Sequence, residues 1–132
     1  MVGCRNTKIY VIEHKKSSNY HFESIKILNG HSGSVLCLQF FGDLLVSGSS
    51  DCTVRVWSLK DMQCKQIFDN QNDSILCLKF HSNILVVGCR SGFFFAWKRT
   101  GTHHFQFLKK IQGHWGAINA IGINKKYFLE LL

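Results

Sequence analysis

Apolar positions along the chain fall into short runs, and turn residues break them every few positions. Val35–Phe40 (VLCLQF) is almost wholly apolar, the pattern of a strand covered on both faces. Gly42 and Asp43 interrupt it, and Leu44–Gly48 resumes as a second strand. Thr53–Trp57 (TVRVW) alternates and is β-branched, which predicts a third strand returning as a hairpin across Ser50–Cys52. After the polar turn Lys60–Gln63, Cys64–Phe68 supplies a fourth. The same order follows downstream, with strands predicted at Ser74–Phe80, Ile84–Val87, Phe93–Trp97 and near Phe105–Ile111. No segment sustains a helical period, so the predicted class is all-β.

These runs recur as a block. Ile27–Trp57 aligns without a gap on Ile67–Trp97 at a constant offset of 40 residues, with Val35 on Ile75, Cys37 on Cys77 and Gly48 on Gly88. A further copy opens at Gly113–His114, where GHWGAINAIGI follows GHSGSVLCLQF after three extra residues in the connection KRTGTHH. A headless copy stands at the start: Val2–Ile12 overlays SGSSDCTVRVW, with Gly3 on Gly48 and Asn6 on Asp51. A period near 40 built from short strands is the signature of stacked blades. The expected division is two fuller repeats at 27–66 and 67–110, flanked by blade fragments at 2–28 and 111–132.

Gly30–His31 followed by LVSGSSDCTVRVW, with tryptophan closing the third strand, resembles the WD-repeat (WD40) β-propeller family. The resemblance implies four-stranded blades set radially about a channel. It also implies that a loop histidine, a strand serine, a turn aspartate and the tryptophan form a hydrogen-bonded network in each blade. In this sequence those are His31, Ser47, Asp51 and Trp57, with Trp97 and His114 as the matching residues of the neighbouring copies. The chemistry is self-consistent, because a carboxylate can accept from one imidazole nitrogen while the other accepts from a hydroxyl. Elsewhere the pattern lapses: Gln71, Val87 and Ser91 replace histidine, serine and aspartate, and Asn6 and Ile12 replace aspartate and tryptophan. Propellers have four to eight blades, whereas this chain encodes an incomplete set of about three. Bare sheet edges follow, which is an aggregation hazard. The expectation is a segment of a longer ring, or a chain that needs further blades or another chain to complete it.

Composition adds bounds rather than identity. The 132 residues carry 16 basic and 8 acidic side chains, a net charge of +8, which favours anionic partners. RNA is therefore the alternative partner class, although the basic residues are dispersed and paired only at Lys15–Lys16, Lys98–Arg99, Lys109–Lys110 and Lys125–Lys126. No stretch approaches the roughly 20 apolar residues of a membrane span, and the start lacks a secretory pattern, so no membrane partner is expected. Of the 6 cysteines, Cys37 and Cys77 share one repeat position, and Cys4 and Cys89 another, as small buried hydrophobes would. No C-x-x-C pair is present, so neither a metal nor another cofactor is expected. A reduced, intracellular setting, cytoplasmic or nuclear, fits these thiols, and leaves the sequon at Asn72 idle.

Three groups invite a chemical reading. His31, Ser47 and Asp51 have the composition of a hydrolase triad, but no G-x-S-x-G elbow exposes the serine, and no phosphate-binding glycine loop occurs. A non-enzymatic role is expected. His103–His104, beside Lys98, Arg99, Lys109 and Lys110, reads as a solvated outer loop. Phe93–Phe94–Phe95 reads as core between blades, with Phe95, aligned on Arg55, expected to be partly exposed. The repeat also brings two sets of loops to one rim: Ser32, Asn72 and Trp115 before the first strands, and Arg5, Ser50 and Arg90 between the second and third. Tryptophan with arginine is the composition of binding hot spots. The expected function is a scaffold for protein or peptide partners, similar to the propellers of ubiquitin-ligase adaptors.

Overall fold

The computed structural model describes residues 2–5, 7–17, 19, 21–69 and 72–113, with the side chains of 2–5, 21 and 22 outside the description. The copy beginning at Gly113, with His114 and Trp115, lies beyond the described residues except for its first glycine. Every described element is a strand. β1 (Val2–Arg5), β2 (Lys8–Lys16) and β3 (His21–Leu28) form one sheet. β4 (Val35–Phe41), β5 (Leu44–Ser49), β6 (Val54–Ser58) and β7 (Gln63–Phe68) form a second, and β8 (Ile75–His81), β9 (Ile84–Cys89), β10 (Phe93–Arg99) and β11 (Phe105–Gln112) a third. Neighbours in each sheet are consecutive in the chain and antiparallel. Among the described residues no ladder joins the first sheet to the third, and the three sheets do not close into a ring.

The repeat is written into the register. Gly48 pairs with Val54 and Gly88 with Phe94. Both four-stranded sheets carry the same two irregularities, one between Val35 and Cys37 or Ile75 and Cys77, the other between Val56 and Trp57 or Ala96 and Trp97. The turns differ in means. Ser82 (φ 47°) and Asn83 (φ 67°) both adopt the left-handed region that a two-residue hairpin of the primed type needs. The first sheet departs from the overlay. Gly3 faces Tyr10, not Ile9, because Arg5 pairs directly with Lys8 and the hairpin closes over only two residues. A shorter connection shifts the ladder by one.

Two cores join the sheets. Val46, Val54 and Val56 of the second sheet meet Ile75, Phe80, Leu85, Val87, Phe95 and Trp97 of the third. On the opposite face, Leu45 and Trp57 meet Ile9 and Leu28 of the first. Each fully buried side chain of this size contributes about 1.5–3 kcal/mol through burial. Phe68 and Trp97 stack with centroids 4.7 Å apart. The sheets approach closely at Gly48, where a Cβ would lie 2.4 Å from Ile75 Cγ2 and 2.6 Å from Cys37 Sγ. Phe95 is buried, at 4% exposure, and not partly open, because it packs in the core shared with the second sheet. Cys77 and Cys89 are buried free thiols, and burial pushes Cys89 up to about 12, so it packs as a hydrophobe.

Candidate functional site

The polar centre of the second sheet is assembled from four elements. His31 comes from the loop between β3 and β4, Ser47 from β5, Asp51 from the β5–β6 turn and Trp57 from β6. Ser47 pairs with Arg55, which places Trp57 diagonally across the ladder and within reach. The indole Nε1–H donates to Ser47 Oγ at 2.8 Å, and that oxygen lies 2.7 Å from His31 Nε2. His31 Nδ1 lies 2.8 Å from Asp51 Oδ2. One proton arrangement uses every group. The indole is donor only, so the serine oxygen accepts from it and donates its own hydrogen to Nε2. Nδ1 then carries the imidazole hydrogen and donates it to the carboxylate. Asp51 is held further by the Thr53 hydroxyl at 2.6 Å, the Thr53 N–H at 2.8 Å and the Ser32 N–H at 3.0 Å.

Electrostatics agree with that arrangement. Burial lowers the His31 pKa from its ordinary 6.5, against the opposing hydrogen bond and charge of Asp51, with Arg55 nearby lowering it further. For Asp51 the largest single influence is burial, which raises its pKa. The Thr53 hydroxyl, His31 and the Thr53 N–H together outweigh it and bring the carboxyl down to about 2. At neutral pH the pair is a carboxylate with a neutral imidazole. The serine is no nucleophile in this setting. It is 0% exposed, its oxygen already accepts from Trp57, and no face is open to a substrate. These residues tie the loop before β4 to the β5–β6 turn.

The third sheet makes the same tie by other means. Val87 stands where Ser47 stands, so the indole of Trp97 has no hydroxyl beneath it and instead joins an aromatic stack with Phe68 and Phe95. Trp97 is thus not part of a polar network with its own strand serine, because that acceptor is missing. The loop-to-turn bridge survives with its direction reversed. In the second sheet the turn's Asp51 accepts from the loop's Ser32 N–H; in the third, the loop's Asp73 accepts from the turn's Ser91 N–H. Asp73 aligns with Gly33, where a Cβ would lie 2.7 Å from the Asp51 nitrogen. In the second sheet glycine also lets the loop approach the turn backbone directly, and in the third that same position carries the bridging carboxylate. The motif does not single out Asp73; the signal is an acid at the position where the other copy holds glycine.

A family model described as "WD domain, G-beta repeat" matches residues 22–58, the stretch that ends one residue beyond Trp57 and contains the whole network. Residues 22–58 are a WD repeat. Among curated relatives, "WD repeat-containing protein pop1" of Schizosaccharomyces pombe is 50% identical over 44 residues, covering 33% of this chain and 6% of that protein. "Probable E3 ubiquitin ligase complex SCF subunit sconB" of Talaromyces marneffei is 33% identical over 54 residues, covering 39% of this chain and 8% of that protein. The WD-repeat match therefore spans a small fraction of these relatives. Among solved structures, the computationally designed Ika4 protein superposes with a TM-score of 0.66 at 33% identity, over 74% of this chain and 59% of that one.

At the rim of this WD-repeat set, Ser32, Ser50, Asn72 and Arg90 are exposed. Backbone bonds from Ser50 N to Ser34 O (2.9 Å) and Arg90 N to Ser74 O (3.1 Å) bring the two loop families together at one end of the sheets. Arg5 departs from its counterparts: it ends β1, paired with Lys8, and is not a turn residue. His114 and Trp115 lie outside the described residues.

Proposed function

We propose that this chain is a non-catalytic interaction scaffold whose loop-and-turn rim captures a protein or peptide partner, in the manner of an adaptor for a ubiquitin ligase. The observation that carries the reading is the division of labour at that rim. The polar groups of His31, Ser47, Asp51 and Trp57 are consumed in holding the loops, while Ser32, Ser50, Asn72 and Arg90 stand exposed around them. The adaptor reading draws on relatives named as an SCF subunit and as an F-box/WD repeat-containing protein. The nucleic-acid alternative has less support. The basic residues are dispersed along the sequence and paired at only a few places, with no run that would track a phosphate backbone.

The test is quantitative affinity capture with the wild-type chain and with a variant carrying Arg90→Ala and Trp115→Ala. The expected result is loss of a discrete set of protein interactors, ubiquitin-ligase components among them, with an unchanged melting temperature. An identical set from both chains refutes the rim assignment.

A further inference from the structure

The opposite end of the sheets carries a second feature, which the WD-repeat motif does not account for. There the backbone closes through Leu59 N to Asp43 O (2.8 Å) and Arg99 N to Asn83 O (2.7 Å). The three-residue expansion of the third sheet lies here, between β10 and β11, and it grips Arg99. The guanidinium Nε donates to Gly101 O at 3.0 Å and Nη2 to Thr102 O at 2.9 Å, and the group lies over the Phe41 ring at 5.3 Å. Phe41 is itself held against Phe80, ring to ring at 4.1 Å. Two of the five guanidinium donors are thus used in fixing the fork. The remaining ones have no partner among the described residues.

Arg99 lines a cleft of about 210 Å³ between the second and third sheets, with Phe41, Asp43, Lys60, Thr102 and His103. Pockets that enclose a whole small molecule run to roughly 300–1,000 Å³, so this one suits a side chain. Lys60 is only loosely engaged, 3.6 Å from Asp43 with both side chains largely exposed. Across the Phe40–Asp43 ridge lies a neighbouring groove of about 450 Å³ between the first and second sheets. Its repeat counterpart of Arg99 is Leu59, which with Met62 and Val11 forms an apolar wall, while Glu13 and Lys26 stand in the same lining. One repeat position is therefore cationic in one groove and apolar in the next.

We propose that this end binds an extended peptide segment through one carboxylate side chain, seated on Arg99, and a nearby aliphatic side chain in the Leu59–Met62 groove. A fixed guanidinium with an open end matches a planar carboxylate, and the pre-set fork reduces the ordering cost of binding. Asp43 in the same lining favours a singly charged group over a dianionic phosphate. The site is at the far end from the proposed capture rim and stands independently of it.

The experiment is an NMR titration of the ¹⁵N-labelled full chain with the peptide Gly-Glu-Gly-Leu-Gly, amidated and acetylated. Shifts are expected at Gly42, Thr102, His103, the Arg99 Nε–H, Leu59 and Met62, with Ser32 and Ser50 unmoved. Replacing Glu by Gln in the peptide should abolish them. Arg99→Lys, which keeps charge but loses the fork, should weaken binding at least about tenfold. Asp43→Asn leaves the clamp on Arg99 intact and should tighten binding about three- to fivefold by removing one repulsive charge. Equal binding of the Gln peptide, shifts confined to the Ser32–Ser50 end, or weaker binding by Asp43→Asn overturns the proposal. Tighter binding when phosphoserine replaces Glu overturns the carboxylate assignment.

Discussion

Ser47→Ala is the sharpest probe of what holds the second sheet's loops. Deleting one oxygen leaves two groups unpaired: the Trp57 indole N–H, now donating to Ser47 at 2.8 Å, and His31 Nε2, now accepting at 2.7 Å. Ser47 is 0% and Trp57 2% exposed, so water cannot replace the hydroxyl without rearrangement. Each buried polar group left without a partner costs about 1–3 kcal/mol, which puts the substitution at about 2–6 kcal/mol. That is a large share of the roughly 5–15 kcal/mol that separates folded from unfolded domains. The assay is urea denaturation followed by circular dichroism, with Ser32→Ala as an exposed control expected within about 0.5 kcal/mol of wild type. A cycle with Trp57→Phe, which keeps a ring but removes the N–H, should show the pair costing less than the sum of the singles by about 1 kcal/mol or more. A Ser47→Ala loss below about 1 kcal/mol, or strict additivity in the cycle, would refute the claim that these hydrogen bonds hold the loop.

Two further predictions concern the same sheet. Cys52 holds φ 71° where the third sheet has Gly92 at φ 90°; Cys52→Gly should stabilise by about 0.5–1 kcal/mol, since relief of left-handed strain exceeds the added chain entropy, and a lower denaturation midpoint would count against it. Stability should fall in two stages as pH drops. Because burial lowers the folded His31 pKa below 6.5, the unfolded chain takes up that proton first and loss begins as pH falls below about 6.5. Asp51, at about 2 folded against 3.8 ordinarily, adds a loss of about 2 kcal/mol between those values. Urea midpoints across pH should show both stages, and His31→Asn should lack the first; a flat profile from pH 7 to 5 contradicts the buried neutral imidazole.

The repeat made most of the fold legible. A constant offset of 40 residues transfers β4–β6 onto β8–β10, and the three-residue expansion carries β7 onto β11, with both irregularities kept, because period-2 burial and the turn residues recur together. The predicted strand limits differ from the observed ones by one or two residues, as at Thr53, whose hydroxyl and N–H serve the Asp51 carboxylate. The network residues were legible through the WD-repeat resemblance, which puts those residue types at fixed positions, and their donors and acceptors are mutually consistent. What the pattern hides depends on length or on direction. The one-residue shift at Gly3–Tyr10 follows from a shorter hairpin, and an alignment by residue type does not register it. Asp73 reverses a bridge, so a search for the same residue at the same place passes over it. Phe95 aligns with the half-exposed Arg55, yet its burial is decided by the sheet it faces.

The two complete sheets show how far a blade can change while its frame stays. Their ladders share register and bulges, yet one is fastened by a serine–imidazole–carboxylate chain and the other by stacked rings and an inverted carboxylate bridge. The backbone pairing therefore does not depend on either fastening, and each can drift as long as the loop before the first strand remains tied to the turn after the second. At the opposite end both copies close through the same backbone bonds, Leu59 N to Asp43 O and Arg99 N to Asn83 O, which leave the side chains free, and there the copies differ most: Leu59 in one, a clamped Arg99 with three added residues in the other. A difference placed where the fold does not demand it must be explained by what it contacts. Arg99 contacts its own loop carbonyls and the face of Phe41, and its remaining donors find no partner among the described residues. A guanidinium fixed in that way, beside a cleft too small for a whole small molecule, is a receptor for a side chain carried by another chain.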